Sequence, residues 1–272
     1  MESAAENIIK QYTSVSRWTF SKSVTIVFNL EDIISMTDLY LIRHGEALGA
    51  ILDIIGDTAL SPLGILQTEH LRDRLAATGE IAADMLISST FKRARQTAEI
   101  IAPALELPIM FDDEVQELRD GVAEGIHVEE YRAKYGEVNF RETPFRQVAP
   151  AGENWGQFVL RVSTALDRIV HEYDGKTIVI VCHGGVIGVS FLYFLGMGSL
   201  QYPQAGFDTD NTSITHWAKL SFNGRPARWR LKCYNDDMHL RDIRSTTRIP
   251  WKAISATPAE GAEQPIVPLE EE

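Results

Sequence analysis

Apolar positions along the chain fall into short continuous runs that alternate with stretches of helical spacing, starting at Met36. "TDLYLI" is a run of strand length that stops at Arg43-His44-Gly45. "LSPLGILQTEHLRDRLAATG" then predicts a helix, with Ser61 as N-cap, Pro62 at the first helical position and Gly79 as terminator. Leu63, Leu66, Leu71 and Leu75 fit its apolar face in part. "ADMLISS" predicts a second buried strand, and "TFKRARQTAEIIAPAL" a helix ending near Pro103. The longest helix is expected in "AGENWGQFVLRVSTALDRIVHEYDG", with Phe158, Val162, Ala165, Leu166 and Ile169 on one stripe and Gly175 closing it. "KTIVIVCHGGVIGVSFLYFLG" is the clearest strand–turn–helix unit. Residues 211–220 and 227–234 predict a late strand pair joined at Asn223-Gly224. Strands alternating with helices imply an α/β fold with a parallel sheet and crossover helices. No internal repeat is visible.

The pattern bounds one domain over residues 36–245. Residues 1–35 form an N-terminal extension of uncertain order, and residues 246–272 a C-terminal tail. From Ser255 onward that tail is rich in Pro, Ala and Glu, a composition that predicts disorder. A formal net charge of −12 argues against general attraction to nucleic acid or anionic membranes. An anionic small substrate stays open, because local arginines can override the global sign. The two cysteines, Cys182 and Cys233, are too few for a disulfide scaffold, and no metal-ligand spacing is present. No apolar run reaches the roughly 18 residues of a membrane-spanning helix. "VTIVFNL" is short, acidic residues flank it, and no small-residue cleavage site follows. A cytoplasmic location is the default expectation, with no cofactor and no metal.

Two segments share one arrangement: apolar strand, histidine, glycine, then departure. They are "LYLIRHGE" around His44 and "IVIVCHGG" around His183. Ligands of open parallel sheets bind beyond the carboxyl ends of the strands, so two such histidines can converge on one pocket. "LIRHGEA", "SSTFKRARQTAE", "QELRDGVAEG", "PAGEN" and "VCHGGVI", in that order, resemble the histidine phosphatase superfamily, the phosphoglycerate mutase-like fold. The resemblance spans roughly Met36 to Arg241. It implies a three-layer α/β/α sandwich with a mainly parallel central sheet. It also implies a phosphomonoesterase that works without a metal, through a phosphohistidine, on a small phosphorylated metabolite.

Residue by residue, the resemblance makes His44 the nucleophile and His183 a donor to the phosphoryl oxygens. Glu117 becomes the acid for the leaving alkoxide and then the base for water. Arg43, Gly45, Arg93 and Gly184 form the substrate-binding set. Guanidinium forks suit phosphate better than a lysine point charge, and Gly45 allows the backbone to bend and approach closely. Arg93 is chosen over its neighbours Lys92 and Arg95 by the motif alone, and Arg95 reads as surface. His44 needs its second ring nitrogen held as N–H, usually by a backbone carbonyl. Glu153 in "PAGEN" reads as a helix-initiating carboxylate, His239 as a residue outside the pocket, and Cys182 as a buried structural thiol.

The chain departs from the family pattern at Ala50, where a polar phosphate ligand is common; the next polar residues, Asp53 and Asp57, would repel phosphate, which leaves backbone amides near Gly56 to complete the contact set. Two other functions compete. A phosphoglycerate mutase-type phosphotransferase would be expected to carry a longer, more basic insertion than the acidic stretch with Glu124, Glu129, Glu130, Glu137 and Glu142. A noncatalytic phosphoprotein-binding module would be expected to show degraded motifs, yet all five chemical residues are present. Substrate choice is assigned to residues 125–149 and 196–210, whose aromatic residues read equally well as core. The sequence leaves a homodimer open.

Overall fold

A computed structural model describes residues 36–198, 201–220 and 226–243. The expectations for residues 1–35, for the tail 246–272 and for the Asn223-Gly224 turn lie outside the described residues. Six strands form one sheet: β1 (Met36–Arg43), β2 (Met85–Ser89), β3 (Ile109–Asp112), β4 (Thr177–Cys182), β5 (Ile214–Leu220) and β6 (Arg228–Asp236), in the order β3-β2-β4-β1-β5-β6. β1, β2, β3 and β4 run parallel, while β5 is antiparallel to both β1 and β6, so the late pair makes the sheet mixed. The helices are α1 (Leu48–Leu52), α2 (Pro62–Thr78), α3 (Lys92–Leu105), α4 (Val128–Tyr135), α5 (Trp155–Glu172) and α6 (Gly184–Phe194).

The sheet has a hydrophobic layer on each face. Leu39 and Leu41 of β1 meet the stripe of α5 and the body of α6, whereas Ile42 meets α2 and α3. This two-sided burial is why β1 and β4 read as nearly unbroken apolar runs. It gives the expected three layers. Ser61 caps α2 by accepting from the Gly64 amide at 2.9 Å, and Gly79 ends it with φ 58°. The buried face of α2 differs from the expected leucine stripe, being Gly64, Thr68, Leu71 and Leu75 with Leu66 exposed. The small residues are buried because β1's exit loop packs directly on them. α3 continues past Pro103 to Leu105; a proline so near the end disturbs only the final turn. Asn154 and Gln157 form a reciprocal cap at the start of α5.

Candidate active site

β1 and β4 are adjacent and in register, with Arg43 opposite Cys182, and the His44 amide donates to the Cys182 carbonyl at 3.0 Å. The two strands therefore deliver His44 and His183 side by side, with ring centroids 5.0 Å apart. β2 is the next parallel strand, and the segment after it starts α3 with Arg93 in the first turn. Three carboxyl strand ends thus converge on one place.

His44 has a defined tautomer. Its Nδ1 lies 2.6 Å from the Gly45 carbonyl, which only accepts, so Nδ1 carries the proton. Its Nε2 lies 3.0 Å from Nε of Arg93, which only donates, so Nε2 holds the lone pair. Burial first, then Arg93 and Arg43, holds this imidazole well below its usual pKa. Gly45 is anchored by donating to Thr97 Oγ1 at 3.1 Å. Its lack of a side chain has a local reason: a Cβ there would stand 2.5 Å from the Gly64 carbonyl of α2.

His183 is fully buried. Its Nε2 contacts Ser89 Oγ at 2.8 Å, while Nδ1 has no partner. Burial and then Arg93 and the other nearby cations depress its pKa as well. Arg93 spends Nε on His44 and Nη1 on the Gly56 carbonyl at 3.1 Å. Arg43 bends over to the start of α6, where its Nε would be 3.6 Å from a Cβ on Gly184; Nη1 donates to the Thr209 carbonyl, and the buried Nε is unpaired. Glu117 reaches the same spot from the loop after β3, accepting from the Gly185 amide at 2.9 Å. All seven residues named from the sequence are therefore brought together.

Ala50 is exposed on α1 and offers no polar group to this centre. Asp57 does not oppose a phosphate directly; it accepts from the Lys92 amide at 2.7 Å, capping α3, and lies 3.7 Å from Arg93 Nη1. Gly56 turns its carbonyl, not its amide, to Arg93. Arg95 pairs with Glu99 on the exposed face of α3, as expected of a surface residue. Glu153 departs from its expected dipole role. It precedes the cap of α5 and binds buried Arg161 through both oxygens at 2.7 Å. Burial raises its pKa, but hydrogen bonds from Arg161 and the Arg119 amide outweigh that and bring it down. His239 bonds Thr212 Oγ1 at 2.9 Å, and Cys182 lies in the core with its thiol pKa pushed up by burial.

Sequence reasoning missed several neighbours. Arg161 donates to the carbonyls of Glu114, Gln116 and Glu117, and so splints the loop that carries Glu117. Gly185 leaves room for the Glu117 carboxyl, since a Cβ there would fall 2.2 Å from Oε1 and the carboxyl would have to move. Asn211 Nδ2 donates to the His44 carbonyl at 3.0 Å. Phe91 packs edge-on to His183 with Arg93 5.0 Å from its ring centre. Ser89 and Gly185 lay inside motifs already quoted, but neither residue type signals a partner. Among the aromatic residues of the flanking segments, Phe207 stacks on Phe191 at 3.8 Å and Phe140 packs beside Trp155, both as core.

The fold and this centre define a class of protein: an α/β enzyme with paired histidines and guanidiniums at parallel strand ends. The chain belongs to the histidine phosphatase superfamily (branch 1), whose family model matches residues 39–237. It is 26% identical over 205 residues to "Uncharacterized phosphatase PhoE" of Bacillus subtilis, covering 75% of this chain and 97% of that protein. It is 30% identical over 166 residues to "Probable phosphoglycerate mutase GpmB" of Escherichia coli, covering 60% of this chain and 76% of the other. Among solved structures, phosphoserine phosphatase of Entamoeba histolytica, in complex with phosphoserine, superposes with a TM-score of 0.59 at 27% identity, over 75% of this chain and 99% of that one. The chain is accordingly a phosphoric monoester hydrolase of the histidine phosphatase type.

Proposed function

We propose that this chain is a metal-independent phosphomonoesterase that passes through a phosphohistidine on His44 and acts on a small phosphorylated metabolite. The observation that carries the reading is the fixed tautomer of His44, with its Nε2 lone pair facing the Arg93 guanidinium. A phosphate dianion arriving at Arg93 competes for that N–H and uncaps the lone pair. Arg43 and His183, each with an unpaired buried nitrogen, supply the remaining donors. These donors neutralise the phosphoryl oxygens without reorganising at the moment of reaction.

In the first step His44 Nε2 forms a bond to phosphorus as the ester P–O bond breaks, and Glu117 gives its proton to the departing alkoxide. In the second, Glu117 takes a proton from water. That water attacks phosphorus, the N–P bond breaks, and inorganic phosphate leaves with His44 restored. Burial, Arg93 and Arg43 lower the His44 pKa and so favour its neutral, nucleophilic form.

A mutase reading keeps support from the relative named as a phosphoglycerate mutase. It differs only in the acceptor of the second step. Hydrolysis of a chromogenic phosphate ester in excess chelator tests the proposal: wild type stays active, and His44→Ala loses at least about a thousandfold in kcat. Loss of wild-type activity to chelator contradicts the metal-free route. Transfer to 3-phosphoglycerate in preference to water selects the mutase.

A further inference from the structure

A neutral imidazole carries one proton, so the nitrogen that holds it decides whether His183 can donate to a given partner. Burial first, and then Arg93, depresses the His183 pKa and favours that neutral form. The ring is fully buried, and its two nitrogens differ in their surroundings. Nε2 lies 2.8 Å from Ser89 Oγ, whereas Nδ1 has no partner among the described residues. With Nε2 turned to the end of β2, Nδ1 is the nitrogen left for a phosphoryl oxygen. It can serve that oxygen only as an N–H.

The surroundings of Ser89 decide the direction of its contact with Nε2. Ser89 ends β2 and is fully buried. Its Oγ accepts from the amide of Phe91, the N-cap residue of α3, at 3.3 Å. An amide N–H only donates, so the hydroxyl proton of Ser89 has to point elsewhere. Were Oγ to accept from an Nε2–H as well, that proton would be buried without an acceptor among the described residues, and Nδ1 would be a buried bare lone pair. When Oγ–H donates to Nε2 instead, the hydroxyl is satisfied on both sides. The one group left open is then an N–H on Nδ1, the group that a phosphoryl oxygen needs.

We propose that Ser89 is a positioning residue that donates its hydroxyl proton to His183 Nε2, fixes the Nδ1–H tautomer and so makes His183 a donor to the transferring phosphoryl group. The inference rests on the phosphatase reading above. Ser89 itself touches no substrate and acts through His183. The two histidines of the pocket then hold the same tautomer by opposite means. At His44 an acceptor, the Gly45 carbonyl, keeps the proton on Nδ1 and leaves Nε2 bare to attack. At His183 a donor, the Ser89 hydroxyl, occupies Nε2 and leaves the Nδ1 proton to bind oxygen.

Nitrogen-15 spectra of histidine-labelled enzyme at pH 7.5, without substrate, read the tautomer directly, with the His183 signals identified by their loss in His183→Asn. Wild type is expected to show a protonated Nδ1 and a bare Nε2 at His183. In Ser89→Ala the two tautomers exchange and the two nitrogen shifts draw together, while Ser89→Thr returns the wild-type pattern. On p-nitrophenyl phosphate, Ser89→Ala lowers kcat by about tenfold to a hundredfold with far less change in KM, and Ser89→Thr recovers most of the loss. A protonated Nε2 in wild type overturns the inference, as does a tautomer that Ser89→Ala leaves unchanged. So does a kcat unmoved by Ser89→Ala while wild type turns the ester over. Inactivity of wild type on the ester contradicts the phosphatase reading itself, and the spectra still decide the role of Ser89.

Discussion

At the scale of single residues, the pocket sets opposing pKa shifts side by side, and each has a consequence for stability. His44 and His183 are depressed by burial and by neighbouring guanidiniums. In the unfolded chain they take up protons near pH 6.5 and in the native state they do not, so their contribution falls as pH drops below 6.5. Asp120 works in reverse. Its carboxyl is raised to about 6 by burial, with Glu117 and Glu124 adding to the rise and Arg93 opposing it. Ionised Asp120 therefore penalises the fold above pH 6, and the penalty disappears as pH falls from 6 toward 3.8. Asp120→Asn is expected to raise the denaturant midpoint at pH 8 and to have little effect at pH 4, measured by urea unfolding. A midpoint lowered at pH 8 contradicts the burial argument.

Gly185 gives a second prediction at this scale. Gly185→Ala places a methyl where Glu117 Oε1 now lies and displaces the carboxyl from its amide anchor. Turnover of alkyl phosphates, which need a proton on the leaving oxygen, is expected to fall about a hundredfold. Turnover of p-nitrophenyl phosphate, whose leaving group departs as a stable anion, should fall far less. Equal losses on both esters in steady-state assays would remove Glu117 from the acid role.

At the scale of elements, what could be read from sequence were features whose cause is local. Ser61, Pro62 and Gly79 bound α2 through contacts within four residues, and the α5 stripe follows helical period. His44 and His183 were visible because each ends an apolar run. Pairings that cross the fold left no such trace: Ser89 meets His183 across 94 residues, Gly185 meets Glu117 across 68, and Arg161 meets the Glu117 carbonyl across 44. Glu153 was misread for a different reason: its partner Arg161 is only eight residues on, two turns into α5, at a spacing that no capping pattern marks. Arg161→Gln strands the Glu153 carboxylate in a buried site and frees three carbonyls of the Glu117 loop. Chemical denaturation should show a loss of about 3 kcal/mol. Adding Glu153→Gln should recover part of it, whereas no recovery would mean that the pair does not act as a unit.

At the scale of the whole molecule, sheet order explains why the site exists. Placing β4 between β1 and β2 brings three strand ends, separated in sequence, to one edge of the sheet. Strands β1, β2, β4, β5 and β6 were legible, but β3, four partly buried residues at the edge of the sheet, was not, and the order and the reversal at β5 depend on long-range pairing that periodicity does not encode. The net charge of −12 makes the two pocket guanidiniums the local exception that admits a phosphate. On the proposed mechanism, this convergence makes His44, and not its neighbour 5.0 Å away, the group that bonds phosphorus. Rapid quenching of the enzyme with 32P-labelled substrate, followed by peptide mapping under alkaline conditions, tests it most directly. Acid-labile phosphate on the peptide containing His44, lost in His44→Ala, is the result expected. Label on the peptide containing His183, or turnover with no trapped phosphohistidine at all, would contradict it.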